Sequence, residues 1–224
     1  MSPLKTSHKP IILGSSSKWR AEILRDAGIP FKVLSPEVDE KSIRHDNPYM
    51  LTYAIAQAKA KAVSAMVKGE ALVIAADQVT VYHGDIREKP SGRGQAREWL
   101  RQYRDDCVHV VTAVVVADAA DRIHVHGHDT VTVEFREYPE TVIEALIAAG
   151  DVLKSCGAVV HEDPLIAPYV VCYRQNLNGA NGESVITGHR RRDRKDVMSS
   201  VSGLPLNLTK TLLGHLGWKG EKVS

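Results

Sequence analysis

With 224 residues, 43% of them apolar and 25% charged, the chain can bury a continuous core as one large domain or as two small lobes sharing a cleft. No uninterrupted apolar run is long enough to cross a membrane, and three scattered cysteines, Cys107, Cys156 and Cys172, exclude a disulfide framework and a paired-cysteine zinc site. The net charge of +2 hides an uneven distribution, because Arg190 to Lys195 (RRRDRK) carries +4 alone and leaves the rest near −2, with no broad basic field for a nucleic-acid polymer.

Met1 to Lys9 is polar, and the apolar run behind it is only Ile11-Ile12-Leu13, too short for a signal-peptide core, so a cytoplasmic location is expected. Pro10 to Gly14 reads as a short buried strand. Ser15-Ser16-Ser17 then leads into a helix with Trp19, Ile23, Leu24 and Ala27 on one side, stopped by Gly28. Phe31 to Leu34 predicts a strand, and Leu51 to Val67 an alanine-rich helix. Ala71 to Tyr82 is apolar and β-branched, with His83-Gly84-Asp85 as turn residues before Ile86, the pattern of a strand entering a hairpin. Further on, Gly94 to Tyr103 predicts a helix, Val108 to Ala117 and Arg122 to Phe135 predict strands, and Pro139 to Ala149 predicts a helix closed by Gly150. Gly157 to Val160 is a small strand candidate, and Asn207 to Leu216 makes the last helix. Interspersed strands and helices predict an α/β class with a mixed sheet flanked by helices. The chain 1–224 is expected to be a single domain. Apolar periodicity disappears from Cys172 to Asp196, so 172–196 is expected to be a loop insertion within it.

Four places could carry chemistry. Gly14-Ser-Ser-Ser-Lys-Trp-Arg20 lies between a strand and a helix, where outward amides and the helix dipole favour an anion. Ser15, Ser17 and Arg20 would add donors for phosphate, although a serine N-cap beside a solvent-facing arginine explains the same residues. Asp77 sits in the middle of an apolar strand, where a charged and unpaired carboxylate costs several kcal/mol. It must be paired, metal-bound or placed at a cleft. Lys89 follows twelve residues later, and a hairpin can return it to the same end of the sheet. There an acid can orient water or metal while an ammonium neutralises phosphate oxygens. Glu37-Val-Asp39-Glu40 could supply oxygen ligands to Mg²⁺ or Mn²⁺, or be a solvated acidic loop. Lys59, taken alone, would be a solvent-facing helix lysine. His124, His126 and His128 would share one strand face, but no cysteine or glutamate completes a metal set. The arginine run reads as solvated loop.

Taken together, the motifs resemble the Maf (septum-formation inhibitor) family of nucleotide pyrophosphatases. The matching pieces, in family order, are LGSSSKWR at Leu13 to Arg20, PEVDE at Pro36 to Glu40, AIAQAKA around Lys59, AADQVTV around Asp77, REKP at Arg87 to Pro90, and GLPL at Gly203 to Leu206. The resemblance implies two lobes around a deep cleft, as in inosine-triphosphatase-like folds. It also implies hydrolysis of a nucleoside triphosphate between its α- and β-phosphates, with a divalent metal, Mg²⁺ or Mn²⁺. It makes Asp77 the proton acceptor for water, and places Ser15, Arg20, Lys59 and Lys89 around the phosphates with Glu40 beside the metal. One branch of the family carries two loop arginines, a threonine after the catalytic aspartate and a later glutamine, and acts on dTTP and UTP. The other carries tryptophan–arginine, glutamine and glutamate, and acts on 7-methyl-GTP. Trp19-Arg20, Gln78 and Glu162 resemble the second branch. An indole face attracts the planar cation of an N7-methylated guanine, and a carboxylate can accept from base amino groups. The expected partner is therefore a nucleoside triphosphate, with no nucleic-acid polymer and no membrane, and a homodimer is the assembly allowed for. A regulator of cell division that binds nucleotide without turnover is the rival reading. The chain departs from the family pattern at Lys18, where proline is usual, at Leu153 to Gly157, where many members carry Asp-Lys-Ala-Gly, and in the greater length between Glu162 and Gly203.

Overall fold

The computed structural model describes residues 9–35, 37–177, 183–187 and 191–219. Its strands are β1 (Ile11–Leu13), β2 (Lys32–Val33), β3 (Leu72–Tyr82), β4 (Asp85–Arg87), β5 (Cys107–Asp118), β6 (His124–Phe135), β7 (Val170–Leu177) and β8 (Glu183–Thr187). They join one sheet in the order β2-β1-β3-β5-β6-β7-β8, with β4 added on β3. β1 runs parallel to β2 and β3, and every other pairing is antiparallel, so the sheet is mixed.

The helices are α1 (Lys18–Asp26), α2 (Pro48–Met66), α3 (Arg93–Gln102), α4 (Glu140–Ala149), α5 (Arg191–Val201) and α6 (Leu206–His215). α2 begins earlier than its apolar pattern suggests, because the Asn47 side chain caps Tyr49 and Met50 and Pro48 supplies a preset first turn. Its small residues Ala56 and Ala60 pack with Val63 against Val73, Ala75, Ala113 and Val115 on one face of the sheet. Alternate strand residues meet the other helices on the opposite face. Leu72, Ile74, Val114 and Val116 meet α1 and α6, and Val108, Val110, Val131 and Val133 meet α3 and α4. Each fully buried aliphatic side chain in these layers contributes roughly 1.5–3 kcal/mol.

Two expectations need correction. The segment 172–196 is not a continuous loop. Within its described residues it completes β7, contributes β8 and begins α5. Backbone pairing of β7 with β6 and β8 satisfies polar groups there that side-chain periodicity does not reveal. Residues 178–182 and 188–190, including Arg190, lie outside the described residues. Nor does Gly157 to Val160 form a strand. Cys156–Ala158 is a single 3₁₀ turn, bent by a left-handed Gly157 at φ 59°.

The feature that places the site is a break along one edge of β3. β1 pairs with it only as far as Ile74, and β4 begins at Thr80, while β5 covers the other edge throughout. Among the described residues no strand pairs with 75–79 on the broken side. A parallel strand ends there, and its loop leaves over the opening, the situation in which α/β sheets hold ligands.

Candidate active site

Asp77 lies at the centre of the break and faces α2. Its buried carboxylate oxygen Oδ1 accepts a hydrogen bond from Lys59 Nζ at 2.8 Å. The same ammonium lies 2.9 Å from Oε2 of Glu40, which opens a 3₁₀ turn at Glu40–Ser42 and remains half exposed. Lys59 is thus a buried cation shared by two carboxylates, not the exposed helix lysine that its neighbours in the sequence suggest. Burial pushes the Asp77 carboxyl above the usual carboxylate range, with Lys59 and then Arg20 pulling the other way.

The loop after β1 crosses the same opening. Gly14 donates its amide to the carbonyl of Ile74 at 2.7 Å. A Cβ at Gly14 would lie 3.1 Å from Val63 Cγ2, so glycine lets the loop approach both α2 and β3. Ser15 Oγ accepts from the Ser17 amide at 3.2 Å and from Arg20 Nη1 at 3.3 Å. Ser17 Oγ caps α1 by accepting from the Arg20 amide at 3.4 Å. In these bonds both hydroxyls are acceptors, so each O–H can still donate to an anion. Arg20 donates through Nε to the carbonyl of Gly203 at 2.8 Å, which ties the loop to the turn between α5 and α6. Trp19 is 47% exposed, with Lys18 Nζ 4.6 Å above its ring.

Gln78 follows Asp77 and therefore faces away from α2. Its Nε2 donates to Thr112 Oγ1 at 2.8 Å and to the carbonyls of Ser200 and Val201 at 3.0 and 3.1 Å. The Gln78 carbonyl accepts from the Cys156 thiol at 3.1 Å across the break. That thiol is pushed up to about 11, chiefly by burial and then by Asp77, while Arg20 and Lys89 oppose the shift. Three groups expected at one site thus act on a single sulfur. Lys89, exposed after β4, is anchored by its neighbour: the Glu88 carbonyl accepts from the Gly157 amide at 2.8 Å. Glu162 is exposed in the turn beyond Ala158.

The structure therefore gathers Ser15, Ser17, Arg20, Glu40, Lys59, Asp77, Gln78 and Lys89 around the β3 break. Sequence reasoning missed Cys156, Thr112 and Ser200, whose link to Gln78 spans up to 122 residues and leaves no local pattern. The His124, His126 and His128 rings do share a face of β6, but they pack on α2, with His126 4.2 Å from the Tyr53 ring and His128 bonded to the Tyr49 carbonyl. Among the described residues no group of three His, Cys, Asp or Glu could hold a metal.

A mixed sheet whose parallel-strand loop faces a buried acid–lysine pair defines an α/β protein. The model of the family described as Maf-like protein matches residues 10–182, and the chain belongs to the Maf family. It is 34% identical to the 7-methyl-GTP pyrophosphatase of Dictyostelium discoideum over 215 residues, covering 93% of this chain and 98% of the relative. It is 32% identical to the 7-methyl-GTP pyrophosphatase of Bordetella parapertussis, covering 92% of each. The dTTP/UTP pyrophosphatase of Pelotomaculum thermopropionicum is 35% identical over 67% of this chain and 78% of its own length.

Proposed function

We propose that the protein is a nucleoside triphosphate pyrophosphatase that adds water across the α–β anhydride and releases a nucleoside monophosphate and pyrophosphate. The observation that carries this reading is the buried Asp77–Lys59 pair, open to the phosphate-type loop through the break in β3. A carboxylate whose pKa is raised by burial is a better proton acceptor than a free one. Asp77 takes the proton of the attacking water. Ser15, Ser17 and Arg20 hold phosphate oxygens, and Lys59 and Lys89 offset the charge that collects on the leaving pyrophosphate.

The donor set fits a divalent cation. Glu40 and Asp77 are hard oxygen ligands, and Mg²⁺ or Mn²⁺ is commonly held by one or two carboxylates together with substrate phosphates. Such an ion would polarise the phosphoryl oxygens. A binder without turnover has no use for a buried acid shared with a lysine, so the enzymatic reading is preferred to the regulator.

Among substrates we favour 7-methyl-GTP. Trp19, Gln78 and Glu162 support it, as do the two relatives of that name, which align along nine-tenths of the chain. A dTTP/UTP preference is the second reading, favoured by the Pelotomaculum relative over a shorter span. A cleft between two lobes, a cytoplasmic location and a homodimer belong to the same proposal. No helix among the described residues is long and apolar enough to cross a membrane. Pyrophosphate release measured over 7-methyl-GTP, GTP, UTP and dTTP with Mg²⁺ or Mn²⁺ tests the reading. Release from 7-methyl-GTP is expected to be fastest, and no release from any of the four would overturn it.

A further inference from the structure

Gln78, Thr112 and Asp129 stand directly opposite one another on β3, β5 and β6, in register and on the face away from Asp77. Asp129 is almost fully buried, and its Oδ2 accepts from Gln175 Nε2 at 2.7 Å and from the Ser200 hydroxyl. Ser200 in turn presents its carbonyl to Gln78 Nε2 and to the Thr112 hydroxyl. We propose that Asp129 is a positioning residue for base discrimination, which through Ser200 fixes the Gln78 amide with its carbonyl oxygen toward the substrate. This rests on the pyrophosphatase reading above.

The orientation follows from the acceptors. Two backbone carbonyls and Thr112 Oγ1 surround Nε2, so turning the amide over would set its oxygen against two other oxygens. Oε1 is therefore the end that shares the side of Arg20: a Cβ built on Gly203 would lie 3.4 Å from Arg20 Nε and 3.6 Å from Gln78 Oε1. A fixed acceptor at that place suits a base edge rich in N–H donors, such as the guanine edge with its amino group, and opposes an edge that offers oxygen there. Because Asp77 and Gln78 point to opposite faces of β3, loosening the relay should alter discrimination and spare the hydrolytic step.

Asp129 also supplies its own control. Both side-chain bonds go to Oδ2, and Oδ1 is buried with no side-chain partner among the described residues. Asp129→Asn can keep its carbonyl in the Oδ2 position and preserve both bonds, whereas Asp129→Ala removes the acceptor. Ser200→Ala removes only the hydroxyl and serves if the first variant does not fold.

The test is kcat and KM for 7-methyl-GTP, GTP, UTP and dTTP in these variants. Asp129→Ala and Ser200→Ala are expected to lower the guanine-over-uracil ratio of kcat/KM by about tenfold, through KM, while Asp129→Asn stays within about twofold. An unchanged ratio in a folded alanine variant, an equal loss for every nucleotide, or a loss confined to kcat would overturn the proposal. If the wild type hydrolyses none of the four, the pyrophosphatase reading fails by itself, and the side-chain amide of Gln78 decides the positioning claim by NMR. Its protons should be protected from exchange in the wild type and Asp129→Asn and unprotected in the alanine variants. An unprotected Gln78 amide in the wild type would refute the relay.

Discussion

At the scale of single residues, the proposed role of Asp77 as proton acceptor ties activity to the protonation of its carboxyl. Asp77→Asn keeps the shape but cannot accept a proton, and loss of general-base action typically costs ~10²–10⁴-fold in turnover. A purified, folded variant retaining half of the wild-type rate would remove Asp77 from the mechanism. The pH dependence has a fixed sign. Activity falls as pH drops through the Asp77 pKa, and burial raises that pKa, so the acid limb of kcat/KM should lie above the value near 4 of a free aspartate. Lys59→Met removes the strongest opposing pull and should move the limb further up while lowering its height; a limb that stays in place would contradict the pairing. Base preference is expected to follow Trp19 and Glu162. Trp19→Arg with Glu162→Gln should lower the ratio of 7-methyl-GTP to UTP hydrolysis by about twofold to thirtyfold, the worth of a lost cation–π contact, and an unchanged ratio would disconnect these residues from the base. Asp77 was legible in the sequence because a charge in an apolar strand demands a reason. Lys59 was not legible from its surroundings, since an alanine-rich helix reads the same whether its lysine faces water or a buried acid, and only the family resemblance placed it.

At the scale of elements, the break in β3 is held open by the 3₁₀ turn Cys156–Ala158. Thr80 donates its hydroxyl to the Cys156 carbonyl at 3.0 Å, Tyr103 donates to the Gly157 carbonyl at 2.9 Å, and the Gly157 amide reaches Glu88. Gly157 is required twice, by its positive φ and because a Cβ would meet Thr80 Cβ at 2.5 Å. Gly157→Ala is therefore expected to cost about 2–4 kcal/mol through backbone strain and overpacking. It should also displace the strut beneath Lys89. Urea unfolding checks the first part and the KM for triphosphate the second; a midpoint equal to that of wild type would mean that the turn shifts freely. The apolar run Ala158-Val159-Val160 suggested a strand because short apolar runs do not distinguish a strand from a packed turn. The long strands and helices were legible for the opposite reason, since β3, β5 and α2 repeat their pattern over many residues.

At the scale of the molecule, the last third of the chain closes the site that the first third begins. α5 ends in a left-handed Gly203, whose carbonyl holds Arg20. The start of α6 has no side-chain cap of its own at Pro205. It is capped from α5, where Ser199 Oγ accepts from the Leu206 amide and Asp196 Oδ1 from the Asn207 amide, each at 3.0 Å. None of this was legible from composition, because the Asn-, Gly- and Arg-rich residues between Cys172 and Asp196 carry no apolar period even where they pair as strands. A loop there could be exchanged for a short Gly-Ser linker with little effect, since closure entropy changes slowly with length. The structure leads to a different expectation for replacing 175–195. That exchange deletes Gln175 and its 2.7 Å bond to buried Asp129, strips β6 of its pairing from Asp129 to Val131, and loosens the helix that supplies Ser200 and Gly203. Leaving a buried carboxylate short of a donor costs roughly 1–3 kcal/mol alone, and an uncovered strand edge invites association. The exchanged protein should unfold at clearly lower urea concentration, and its KM for triphosphate should rise more than threefold, because Arg20 and Gln78 both lose their anchors. Wild-type stability and an unchanged KM after the exchange would show that the β7–β8 hairpin and the start of α5 do not support the site.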